Sequence, residues 1–62
     1  MANKFVRRSA LTDKVSSMMI DVSYAQVVAW EDSGELIQNA MPNLTANERE
    51  FLMTGITPEE WA

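Results

Sequence analysis

Val22-Ser23-Tyr24-Ala25-Gln26-Val27 divides this chain into two kinds of structure. Ser23 offers a hydroxyl to the first amides of a helix, and Gln26, three residues on, offers its side chain back. That is the reciprocal arrangement of a capping box. Val22 and Val27 flank it as the two halves of a hydrophobic staple, which fixes the angle at which the preceding chain enters the helix. A helix over residues 24–33 is predicted, with Tyr24, Val27 and Val28 inward and Glu31 and Asp32 outward. Gly34 stops it, because glycine takes the left-handed conformation without a Cβ penalty.

Upstream of this boundary the apolar period is two. Met18, Ile20 and Val22 alternate with Ser17, Met19 and Asp21, the pattern of a half-buried strand over residues 15–22. Residues 4–10 carry Phe5 and Val6 among interleaved charge and pair with it as a β-hairpin, Leu11-Thr12-Asp13-Lys14 forming the loop. Downstream, the helix-start grammar recurs. A short helix over 35–41 places Leu36, Ile37 and Ala40 on one side and ends at Pro42, which lacks a donor and clashes with the preceding turn. Thr45 with Glu48 opens a helix through Thr54, with Phe51 and Leu52 buried and Gly55 ending it. Thr57 with Glu60 opens another, with Pro58 at the first helical position and Ile56 stapled to Trp61. The expectation is one small α+β domain over residues 1–62, a hairpin region (1–22) followed by a helical region (23–62) of three or four short helices.

Composition narrows what such a domain can do. At 62 residues the chain suits one domain, and one this size buries only about 60% of the surface its unfolded chain exposes. It has no Cys and no His, so it lacks disulfides, thiolate metal sites and the commonest general base. Ser16-Ser17 has no imidazole to activate it, and the first-turn acids Glu48, Glu59 and Glu60 are accounted for by the helix dipole. No Asp-x-Asp-x-Asp spacing suggests a carboxylate metal site. The reading is a non-enzymatic protein without a cofactor, working by binding a macromolecule.

The net charge of −4 conceals an asymmetry. Lys4, Arg7, Arg8 and Lys14 against Asp13 give residues 1–14 a balance of +3, whereas eight acids against Arg49 give residues 15–62 a balance of −7. The segment 51–60 superficially resembles a helix-turn-helix, yet the would-be reading helix, Pro58-Glu59-Glu60-Trp61, is acidic and repels a duplex. The basic hairpin is the better candidate for phosphate contact, but four cations without an aromatic ladder argue weakly for nucleic acid. The apolar runs Met18 to Ile20 and Val27 to Trp30 fall far short of a membrane span. Met1 to Arg8 has no apolar signal-peptide core, which reads as cytoplasmic.

Folding leaves some residues unexplained. Trp30 stands at the margin of the first helix, Met18 and Met19 exceed what one strand face requires, and Arg7 and Arg8 lie nearby in sequence. Trp and Arg are the types most enriched at binding hot spots, so Arg7, Arg8, Met18, Met19 and Trp30 are the candidate partner-binding residues, with Trp30 open to either a core or an interface role. A short chain with an exposed strand edge also suits a homo-oligomer.

The stretches Gly34-Glu35-Leu36-Ile37-Gln38-Asn39-Ala40-Met41-Pro42-Asn43-Leu44-Thr45 and Glu48-Arg49-Glu50-Phe51-Leu52-Met53-Thr54-Gly55-Ile56-Thr57-Pro58-Glu59-Glu60-Trp61, with Arg8-Ser9-Ala10-Leu11-Thr12, cover somewhat over half the chain. Together they resemble a group of short bacteriophage-encoded proteins of uncharacterised function. The resemblance implies a viral origin and assigns no functional residue. The expectation is an accessory protein in the host cytoplasm that binds a host or viral protein and modulates it by occupancy. The alternatives are a minor virion or assembly component, or a nucleic-acid binder acting through the basic hairpin.

Overall fold

A computed structural model of the chain describes residues 2–61. Strands β1 (Asn3–Arg8) and β2 (Val15–Ile20) form an antiparallel hairpin, followed by helices α1 (Tyr24–Ser33), α2 (Ile37–Ala40), α3 (Ala46–Thr54) and α4 (Pro58–Trp61). The fold is α+β, as expected from the two periodicities. Both strands are shorter than the alternation suggested, because Ser9 and Asp21 begin the turns at either end.

The hairpin register pairs Phe5 with Met18 and Arg7 with Ser16. Phe5 and Ile20 point to the core, while Val6, Val15 and Met19 stand exposed on the other face. The loop contains no Asn-Gly; buried Ser9 organises it instead. Its hydroxyl accepts from the amides of Leu11 at 3.1 Å and Thr12 at 3.2 Å. Its own amide donates to Lys14 O, and its carbonyl accepts from Asp13 N, both at 2.9 Å. Asp13 takes a positive φ of 64°, a conformation its short polar side chain tolerates.

The core gathers one or two side chains from each element up to α3: Phe5, Ile20, Val27, Ile37, Phe51 and Leu52 are buried, with Met41 and Leu44 closing the connection between α2 and α3. Both capping boxes expected at Ser23 and Thr45 are complete, and Gly34 and Gly55 end their helices in the left-handed conformation. Gly55 also lies directly against the end of β1, where a Cβ would meet Arg8 O at 2.3 Å.

Four expectations need correction. Tyr24 and Val28 are each 54% exposed rather than inward, since α1 fully buries only Val27, packs Trp30 partly against the core and lies alongside the hairpin edge. Leu36 caps α2 in an extended conformation and is exposed, so the inner side of that turn is made by Ile37 and Met41. The box at Thr57 is half formed. Glu60 Oε1 accepts from Thr57 N at 2.9 Å and from the Thr57 hydroxyl at 3.3 Å, but the Glu60 amide donates to Thr57 O rather than to that hydroxyl. Trp61 is 55% exposed and does not complete the core with Ile56; α4 is one turn, held to the hairpin loop by a hydrogen bond from Thr12 Oγ1 to Glu60 Oε2.

Candidate partner-binding groove

The residues that α1 withholds from the core build a groove. Tyr24, Val27, Val28 and Glu31 recur at the three- and four-residue spacing that aligns side chains on one helical face. That face looks across at Lys4, Phe5, Val6 and Arg7 of β1, enclosing about 210 Å³. Capping at Ser23 sets the entry angle, so the first turn of α1 reaches the strand. The Tyr24 ring tilts against Phe5, with centroids 4.9 Å apart, and its hydroxyl donates to Lys4 O at 2.8 Å. Val6 and Val28 remain exposed as apolar walls.

Two cations frame this groove. Arg7 is half-buried and held by the backbone: Nη1 donates to Val6 O at 3.0 Å and Nε to Leu52 O at 3.5 Å. Its Nη2 stands 3.8 Å from Glu31 Oε2, a long pair with half the glutamate side chain in solvent. Pairs of this kind contribute little and are readily exchanged for an incoming carboxylate. Lys4 lines the same groove. The arrangement suits an apolar side chain seated between Val6 and Val28 with an acid beside it. Among the described residues no group of three or more His, Cys, Asp or Glu is placed to hold a metal ion.

The five candidate residues do not form one face. Strand alternation puts Arg7 and Met18 on the core side of the hairpin and Arg8 and Met19 on the outer side. Met18 packs against the core, and Arg8 pairs with Asp13 at 3.2 Å. Trp30 is half-buried against the core, with Nε1 donating to Glu35 O at 2.9 Å. It lines a separate depression of about 260 Å³ with Gln26, Ala29, Ser33, Glu35 and Ala40. Only Arg7 belongs to the groove. The apolar stripe Tyr24/Val27/Val28 reads in sequence as wholly core; the signal that marks it as a groove wall is that Glu31 continues the same stripe.

The fold and this surface define a small α+β domain with an open, cation-framed groove between a strand edge and a helix. Comparison with protein-family models, curated proteins and solved structures gives no match. Among the described residues, no helix is long and apolar enough to cross a membrane.

Proposed function

We propose that the protein is a small phage-encoded accessory protein that binds a host or viral protein in the host cytoplasm and modulates it by occupying part of its surface. The observation that carries this reading is the groove itself: Tyr24 and Val28 stay exposed on an ordered, fully capped helix, directly beside Lys4 and Arg7. The phage attribution rests on the sequence resemblance. The partner that fits presents an apolar side chain flanked by carboxylates, since its acid replaces Glu31 at Arg7 and gains Lys4.

The test is a comparison of the wild-type protein with Val28→Glu as baits in lysate from infected cells, followed by titration calorimetry with each purified candidate. Val28 lies outside the core, so the variant keeps its fold while placing a like charge where the partner's acid sits. Loss of at least ~2 kcal/mol of binding is expected, the scale of a hot-spot residue. A partner that binds both proteins equally does not use the groove. Recovery of the protein only with assembled particles favours the virion-component reading.

A further inference from the structure

The two edges of the hairpin are treated differently. The bond from Ser9 N to Lys14 O fixes the phase of the ladder. Alternation then makes Arg7↔Ser16, Phe5↔Met18 and Asn3↔Ile20 the hydrogen-bonded pairs. The amides and carbonyls of Lys4, Val6 and Arg8 therefore point away from β2, and those of Val15, Ser17 and Met19 point away from β1.

On the β1 edge the chain covers itself. Tyr24 Oη donates to Lys4 O, the Arg7 guanidinium donates to Val6 O, and Gly55 packs on Arg8 O. On the β2 edge, among the described residues, no hydrogen bond reaches the outward backbone groups of Val15, Ser17 or Met19. The strand, Val15-Ser16-Ser17-Met18-Met19-Ile20, carries no charge, proline or bulge, the devices by which monomeric proteins protect an open edge.

We propose that β2 is a dimerisation edge, which a second copy of this chain joins antiparallel about a twofold axis at Ser17 to make one four-stranded sheet. The strand is self-complementary in that register. Ser17 faces Ser17 of the second copy, and Val15 faces its Met19, so two exposed apolar side chains cover each other on the outer face at both ends of the seam. On the inner face Met18 meets Ser16 of the other copy, extending the core across the axis. Charge selects the antiparallel direction: Lys14 precedes the strand and Asp21 follows it, so antiparallel pairing brings Lys14 of one copy alongside the Ile20-Asp21 end of the other. Parallel pairing would align like with like. The seam leaves both β1 edges outward, so the dimer presents two grooves.

Sedimentation velocity from low micromolar to submillimolar concentration tests this. The wild-type protein is expected to pass from 7.0 kDa to twice that mass. Ser17→Lys places two ammonium groups face to face on the axis and weakens dimerisation about 2- to 5-fold. An equimolar mixture of Ser17→Lys with Ser17→Glu restores it. The natural chain has no cysteine, so Ser17→Cys gives an independent register check. Directly opposed residues in a hydrogen-bonded pair have Cα atoms about 5.5 Å apart, within disulfide range. Mild oxidation links this variant as a dimer much faster than a Val6→Cys control. A wild-type protein that stays monomeric, or a dimer indifferent to both charged variants, overturns the proposal. If Ser17→Lys fails to fold, failure of Ser17→Cys to outpace Val6→Cys overturns it equally.

Discussion

Gly55 and Gly34 share a conformation and differ in their surroundings, which makes them a controlled pair. Their φ angles are 75° and 72°, and each ends a capped helix. A Cβ on Gly34 meets nothing within 4 Å, whereas one on Gly55 lies 2.3 Å from Arg8 O, 2.7 Å from Arg8 C and 3.1 Å from Ser9 N. Gly34→Ala therefore incurs only the left-handed penalty, about 1–2 kcal/mol, offset by roughly 0.4–1 kcal/mol from a stiffer unfolded chain. Gly55→Ala incurs the same and must also drive the end of α3 away from β1 backbone, an overpacking cost of about 1–3 kcal/mol. The bond from Ala10 N to Thr54 O at 2.9 Å spans that junction, and losing it adds about 0.5–1.5 kcal/mol. The steric difference between the variants is thus about 1.5–4.5 kcal/mol. A domain of this length has roughly 3–9 kcal/mol in total. Thermal and urea unfolding followed by circular dichroism should show Gly34→Ala as mildly destabilised and Gly55→Ala as lower by a further ~6 °C or more, or unfolded outright. Equal melting temperatures for the two variants would refute the packing of α3 on β1 described above.

Other outcomes follow from particular contacts. Thr45→Ala removes the acceptor of the Glu48 amide at 3.2 Å and should lower stability by ~0.5–2 kcal/mol in chemical denaturation; an unchanged midpoint would mean the cap contributes nothing. Trp30→Ala should reduce thermal stability, by less than the ~3–5 kcal/mol of a fully buried aromatic, because its ring packs on the core and its Nε1 bonds Glu35 O; a variant with wild-type melting would return Trp30 to the surface. The hydroxyl of Thr12 and the amide of Thr57 hold the Glu60 carboxyl below the ordinary glutamate range. A lowered folded value contributes stability that is fully present above about pH 4.5 and lost as pH falls through the folded value. Acid titration by NMR should therefore show the Thr12 and Thr57 signals following Glu60, and Glu60→Gln should flatten that acid limb.

Much of the fold was legible because its signals are local. Ser23 with Gln26, Thr45 with Glu48, and the glycines that follow each helix depend on residues within one turn, so the sequence displays them directly. Phe51 and Leu52 were likewise readable as a buried pair. What was not legible depends on how elements lie against one another. Periodicity says that Tyr24, Val27 and Val28 share a face, but not that the face straddles a strand edge, with one residue buried and two left as groove walls. Trp61 looked like core because large aromatics complete small cores; its helix is a single turn held by Glu60 and Thr12, a contact across 48 residues that no local pattern carries. The same limit scattered the candidate residues. Arg7 and Arg8 are neighbours in sequence, yet a strand sends them to opposite faces.

The clasp between the hairpin and the end of the helical region has a kinetic consequence. Arg7 reaches Leu52 across 45 residues, and Thr12 reaches Glu60 across 48. Phe5 and Ile20 of the hairpin and Phe51 of α3 are buried in one shared cluster that also takes Val27 and Ile37. The two halves therefore share one core. Forming these contacts closes one long loop, and the entropy of that closure grows only with the logarithm of its length. Lengthening the connection from α2 to α3 should therefore slow folding only slightly. Single-exponential folding without a populated helical intermediate is the expected signature.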